Sequence, residues 1–225
     1  MSSNVVEPSP VRTPGTPAHA YIAIEGLIGA GKTTLTKRLA QLWNARTVLE
    51  EFEENPFLPK FYDDQDRFAF SVELSFLAQR YHQLKRVGER SLFESHTVAD
   101  YSIGKSLVFA SVTLPADEAQ LFKDLYAIMY DSLPRPDLLV YLHLPMERVH
   151  ERIRSRGRSY EQRIRTEYLE RLQETYLDQL RKNSAQRTLV IDLGHTDLLH
   201  DTDAFDRVRR LLEAEHAPGM NVVSP

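Results

Sequence analysis

The feature that most constrains this chain is the stretch Tyr21-Ile-Ala-Ile-Glu-Gly-Leu-Ile-Gly-Ala-Gly-Lys-Thr-Thr34. An apolar run, Tyr21 to Ile24, leads into Gly26-x-x-x-x-Gly31-Lys32-Thr33, and Leu35, Leu39, Leu42 and Trp43 then recur at helical spacing. Strand, glycine-rich loop and helix in that order form the context of a phosphate-binding loop. Backbone N–H groups of Gly26, Gly29, Ala30, Gly31, Lys32, Thr33 and Thr34 can curl around a polyphosphate, and the helix N-terminus adds its dipole. Lys32 can reach the β- and γ-phosphates, and the Thr33 hydroxyl can ligate Mg²⁺. The ligand expected is a nucleoside triphosphate, with Mg²⁺ as cofactor.

The rest of the composition narrows the class. A chain of 225 residues with 42% hydrophobic residues is long enough for one well-cored domain. A net charge of −4 gives no support for broad binding to nucleic acid or membranes. Cysteine is absent, which removes disulfides and thiolate chemistry. No apolar run approaches the roughly 18 residues of a membrane span. Residues 1–18 are rich in Pro, Ser and Thr and lack the apolar core of a secretory signal, so they read as a disordered arm. Residues 217–225 read as a flexible tail, leaving 19–216 as the folded domain, with the cytoplasm as the expected compartment.

Further apolar runs at Thr47–Leu49, Ser91–Phe93, Leu138–Leu144 and Thr188–Leu193 read as buried strands. Helical stretches alternate with them at 66–87, 102–110, 117–132, from Met146, at 161–181 and at 202–215. That alternation predicts an α/β fold with a five-stranded parallel sheet flanked by helices. Arg148, Arg152, Arg154, Arg156 and Arg158 crowd the stretch before the 161–181 helix, and Arg152 and Arg156 share one helix face. Such a segment suits a lid that closes over a triphosphate during phosphoryl transfer. Glu50, Glu51, Glu53 and Glu54 follow the second strand, where an open α/β sheet binds its ligands. A carboxylate there is placed to accept a proton from a hydroxyl nucleophile.

From Tyr21 to Leu180 these motifs resemble, in order and spacing, the deoxyribonucleoside kinase family and its bacterial branch, the group holding deoxycytidine, deoxyguanosine and deoxyadenosine kinases. The resemblance places Glu50 at the glutamate of the family's Glu-Pro-Val motif, although Glu51-Phe52 follows here and Glu51 is the alternative base. It implies that Tyr62, in Asn55-Pro-Phe-Leu-Pro-Lys-Phe-Tyr62, and Glu161 contact the sugar 3′-hydroxyl. It makes Arg152, Arg156 and Arg158 the lid arginines, and Val72-Glu-Leu-Ser-Phe-Leu-Ala-Gln-Arg80 the base-reading helix. The family's Asp/Glu-Arg-Ser motif is sought in Phe93-Glu94-Ser95-His96, where Glu94 would contact Mg²⁺ or the 5′-oxygen. Ser95 then lacks the arginine, whose contact is lost or supplied by Lys105 or a lid arginine. Asp100 would be the acid of the base pocket.

Glu73 and Arg80 lie seven positions apart on one helix face, about 10 Å along the axis. Many family members carry Gln at the position of Glu73. An ionised carboxylate only accepts hydrogen bonds, which suits the N1–H and 2-amino group of guanine. Arg80, paired with Asp100, would donate to O6 and N7. The expected activity is transfer of the γ-phosphoryl of ATP to the 5′-hydroxyl of a purine deoxyribonucleoside, most naturally deoxyguanosine, by a homodimer. The alternatives are a deoxyadenosine/deoxycytidine kinase, a thymidylate-kinase-like nucleoside monophosphate kinase, or a non-enzymatic nucleotide switch.

Overall fold

A computed structural model of the chain describes residues 15–52, 55–88, 94–198 and 200–225. Its centre is a six-stranded sheet in the order β2-β3-β1-β4-β5-β6. The strands are β1 (Tyr21–Gly26), β2 (Arg46–Val48), β3 (Thr97–Ala99), β4 (Leu138–His143), β5 (Arg187–Asp192) and β6 (Gly219–Val223), and every pairing is parallel. β1 is buried along its whole length, as a central parallel strand covered on both faces must be. The helices are α1 (Lys32–Trp43), α2 (Leu58–Asp63), α3 (Gln65–Lys85), α4 (Lys105–Thr113), α5 (Ala116–Tyr130), α6 (Met146–Arg156), α7 (Thr166–Lys182) and α8 (Thr202–Glu213).

Local chemistry sets several of these bounds. The Asp64 carboxylate caps α3 by accepting from the Arg67 N–H, and Asp201 caps α8 by accepting from Ala204. α6 stops where Gly157 turns into the left-handed region, with φ at 70°. α1 and α6 pack with β1, β4 and β5 around Ile24, Leu35, Leu142, Val149 and Ile191, all almost wholly buried. α3, α4 and α5 close the other region around Leu77, Tyr101 and Phe122.

The fold matches the expected α/β architecture, with three local differences. The expected strand at Ser91–Phe93 lies outside the described residues, and β3 is found at Thr97–Ala99. Residues 217–225, expected as a flexible tail, supply β6, which extends the sheet beside β5. Its length is short and its Asn221 polar, so it carries little of the alternation that marks a strand in sequence. The expected helix 161–181 is broken: Glu161–Arg163 forms a 3-10 turn, Ile164 and Arg165 are extended, and α7 starts at Thr166. Among the described residues no helix is long and apolar enough to cross a membrane.

Because all strands run the same way, their carboxyl ends gather on one edge. The phosphate loop follows β1, Glu50 follows β2, Asp100 follows β3, Pro145 and the arginine helix follow β4, and the 193–201 segment follows β5.

Candidate active site

The phosphate loop turns on glycines that admit no substitute. Gly26 has φ of 147°, and a Cβ there would stand 2.7 Å from the Leu142 carbonyl oxygen. Gly29 has φ of 82° and packs beneath α6, where a Cβ would meet Arg152 Cβ at 3.1 Å. Lys32 Nζ donates to the carbonyls of Gly26 and Leu27 at 2.9 Å each. Burial lowers its pKa to about 8, with the neighbouring Lys105 charge acting the same way. A bound polyphosphate would restore the charge that burial disfavours.

Outside the loop lies an open cavity of about 570 Å³. Gly29, Gly31, Lys32, Thr33 and Thr34 form its floor, and Arg148, Arg152 and Arg156 from α6 form one wall. Ala30 is buried, its N–H donating to the Leu27 carbonyl at 3.1 Å. Arg152 donates to the Gly29 carbonyl at 3.4 Å and to the Thr196 carbonyl at 3.5 Å, so it ties the loop to the segment after β5. Asp197 and His200, which the sequence reading did not single out, complete the rim.

A second, narrower cavity of about 110 Å³ opens from the same loop toward α3 and α4. Lys32, Thr33, Glu50, Tyr62, Arg80, Asp100, Arg156, Arg158 and Glu161 all reach its lining. The structure therefore brings together most of the residues singled out from sequence. Arg156 borders both cavities, whereas Arg158 borders only the narrower one, away from the triphosphate floor. Tyr62 stacks on Tyr160 at 5.7 Å. Glu161 accepts from Arg158 at 3.2 Å and has Arg156 at 3.5 Å, while its second oxygen is buried with no hydrogen-bond partner. Arg158 and Arg156 also stand over the Phe52 ring, at 4.0 and 5.6 Å.

Lys32, Thr33 and Arg156 border both cavities, and Glu50 lines the narrow one. One of its oxygens accepts from Arg80 Nε and Nη2 at 3.0 and 2.7 Å, and the other accepts from Lys105 Nζ at 2.5 Å. Burial would raise its pKa, but Lys105 and Arg80 override that and hold it at about 2. The alternative base, Glu51, is exposed and does not line this cavity.

Four expectations change. Arg80 is not paired with Asp100: its guanidinium is taken by Glu50 and by the Ser106 hydroxyl at 2.7 Å. Asp100 lines the narrow cavity from its phosphate-loop end rather than beside Arg80. Its two oxygens accept from the Glu50 N–H at 2.8 Å and the Thr33 hydroxyl at 2.5 Å, so it belongs to the phosphate end. Glu94 lies beside Tyr21, Arg46 and Thr97 at the amino ends of the strands, opposite the phosphate loop. The reason is the position of β3: the residues after it are Asp100-Tyr101-Ser102, so the strand-end acid and serine are present and a tyrosine stands between them. Glu73 is buried on α3 but off the cavity lining, with Thr113 donating to one oxygen at 3.4 Å and the other without a partner. Burial raises its pKa to about 7 against the lowering pull of Arg80.

Glu25, on β1, is a buried acid that sequence reading passed over. It accepts from the Ser102 N–H at 2.7 Å, the Ser102 hydroxyl at 2.8 Å and the Tyr176 hydroxyl at 3.1 Å, and so fixes the turn after β3. Burial raises its pKa. The divalent cation implied by triphosphate chemistry has a fitting pair of hard oxygen donors here. The Thr33 hydroxyl and the Asp100 carboxylate are adjacent at the loop. Such an ion would neutralise phosphate charge between the two cavities.

A phosphate loop at the end of a parallel sheet, an arginine helix over it and a second pocket ending in a buried carboxylate define a P-loop phosphotransferase with a small acceptor. The family is set by comparison. The family model "Deoxynucleoside kinase" matches residues 22–216, and the chain belongs to that family. It is an ATP-dependent deoxynucleoside kinase.

The chain is 37% identical over 193 residues to a deoxyguanosine kinase of Bacillus subtilis (strain 168), covering 84% of this chain and 93% of that protein. It is 30% identical over 202 residues to a deoxyadenosine/deoxycytidine kinase of the same organism, covering 85% and 91%. A structure of deoxyadenosine kinase from M. mycoides with bound dATP superposes with a TM-score of 0.74 at 24% identity, over 86% of this chain and 100% of that one. The likeness to that structure speaks for the fold alone.

Proposed function

We propose that this kinase phosphorylates deoxyguanosine at its 5′-hydroxyl, with Glu50 as the base and Mg²⁺ held between Thr33 and Asp100. The residue that bears on the base preference is Glu73, a carboxyl buried to 2% exposure behind the lining of the narrow cavity, with one oxygen lacking a partner among the described residues; a bound base reaches it only as the lining side chains give way. A buried unpartnered acceptor costs free energy that a ligand donor recovers. Guanine offers N1–H and the 2-amino group, while adenine and cytosine each pair a donor with an acceptor. Arg80 lies on the same helix face but is committed to Glu50 and Ser106, so it orients the base carboxylate rather than reading O6 and N7. The similarity to the Bacillus subtilis deoxyguanosine kinase supports the same choice.

The chemistry follows from the placement of the groups. Lys32 and the loop hold the donor phosphates. Tyr62 and Glu161 fix the sugar, so that the 5′-oxygen points to Glu50. The hydroxyl proton passes to the Glu50 carboxylate as the oxygen bonds to the γ-phosphorus and the bond from that phosphorus to the bridging oxygen breaks, its electron pair leaving with ADP; Arg156, bordering both cavities, meets the charge in transit.

A second reading draws on the titration of Glu73 near neutrality. Protonated, it both donates and accepts like an amide, which suits deoxyadenosine or deoxycytidine. The test is kcat/KM for deoxyguanosine, deoxyinosine, deoxyadenosine and deoxycytidine at pH 8. Deoxyguanosine is expected to lead, by roughly ten-fold or more for mismatched hydrogen bonds. Deoxyadenosine or deoxycytidine in first place would overturn the preference.

A further inference from the structure

Both oxygens of Glu50 are occupied, by two cations of different kinds. Arg80 is anchored: its planar fork holds one Glu50 oxygen at 3.0 and 2.7 Å, Ser106 takes Nη1 at 2.7 Å, and the group rests over Phe76 at 4.9 Å. Lys105 is a point charge on a flexible stem. It is the first residue of α4, holds the other Glu50 oxygen at 2.5 Å, and lies 5.4 Å from the centre of the Phe109 ring. It lines the narrow cavity together with Lys32 and Thr33, so it faces the phosphate loop as well as the carboxylate.

A hydroxyl that is to give its proton to Glu50 needs one of those two oxygens, and Arg80 cannot leave without breaking its other contacts. Tyr101 carries no charge, and its hydroxyl points the other way, donating to Gln83 at 2.5 Å. We propose that Lys105 is a catalytic residue that leaves Glu50 when the acceptor hydroxyl binds and moves to the phosphoryl group being transferred. In that step the acceptor oxygen bonds to the γ-phosphorus and its proton goes to the freed Glu50 oxygen. The bond from the γ-phosphorus to the bridging oxygen breaks, its electron pair leaving with the nucleoside diphosphate. The Lys105 ammonium neutralises an equatorial phosphoryl oxygen throughout.

This inference rests on Glu50 being the base, and the variants separate the two claims. Lys105→Met is expected to lower kcat by about 10²–10³-fold while calorimetry gives a deoxynucleoside Kd within a few-fold of wild type. Lys105→Arg should recover at least part of that loss, and added ethylammonium should partly rescue Lys105→Ala, which a purely structural lysine would not permit. If Lys105→Met does not fold, as read by its thermal melt, Lys105→Gln carries the same test. A kcat within a few-fold of wild type, or a loss confined to nucleoside affinity, would overturn the proposal. The double variant Glu50→Gln/Lys105→Met should fall well below Glu50→Gln alone, because the phosphoryl contact survives removal of the base. Equal rates would overturn the phosphoryl contact. A fully active Glu50→Gln would instead remove the base and leave any effect of Lys105 standing.

Discussion

The two cavities that share Lys32, Thr33 and Arg156 solve opposite problems under the proposed function. The proposed donor side is open, about 570 Å³, and lined by arginines and the phosphate loop, a lining suited to any polyphosphate. The acceptor side is about 110 Å³ and walled by Tyr62, Phe76, Phe109 and Tyr160 around buried acids. Charge recognition tolerates variation in the ligand, because a screened ion pair contributes little and is forgiving in geometry. Hydrogen bonding in a dry pocket does not, because an unmatched group leaves a buried partner unpaired. The proposed function therefore assigns discrimination between substrates to the narrow side and phosphoryl activation to the wide one.

That division can be broken by experiment. On the donor side the largest effect is expected from Lys32→Met, which removes the half-buried ammonium proposed to hold the phosphates. It should cut kcat/KM for ATP by about 10²–10³-fold and leave deoxynucleoside binding by calorimetry nearly unchanged. A comparable loss of nucleoside affinity would show that the sides are not separable. Next is Glu73→Gln, which should move the kcat/KM ranking from deoxyguanosine toward deoxyadenosine and deoxycytidine by about ten-fold or more, with KM for ATP unaltered.

The same substitution has a signature in stability. The pKa of Glu73 is raised from its usual value to about 7 by burial, so between about pH 4.5 and 7 the native state holds a proton that the unfolded chain has lost. This group's contribution is favourable below that window and is lost as pH rises through it. Glu73→Gln should thus gain thermal stability relative to wild type at pH 8, with the advantage shrinking at pH 5. Melting curves at the two pH values check it, and a difference independent of pH would contradict the buried neutral form. The smallest effect is expected at the border. Phe52→Leu removes the ring beneath Arg158 and Arg156, worth about 0.5–1 kcal/mol. Steady-state kinetics should show both KM values rising by about two- to five-fold.

What sequence could and could not show follows the same line. The donor side was legible because the phosphate loop is contiguous and its glycines are demanded by backbone geometry, as at Gly26 and Gly29. The parallel sheet was legible for strands buried on both faces, such as β1 and β4. β3 was misplaced because Thr97–Ala99 is a three-residue strand with little pattern of its own, and that error carried Glu94 into the site and Asp100 into the base pocket. The acceptor side depends on contacts across long sequence separations. Arg80 and Lys105 meet on Glu50 from α3 and α4, and no local spacing announces that. A buried acid inside an apolar strand, Glu25, was the available clue to the Ser102 turn.

In the proposed mechanism Glu50 receives the acceptor proton. The direct measurement is Glu50→Gln, with single-turnover phosphorylation of deoxyguanosine beside calorimetric nucleoside binding. A fall in rate of about 10²–10⁴-fold with affinity held within a few-fold is the predicted result. A rate close to wild type, or a loss that appears wholly as weakened binding, would contradict it.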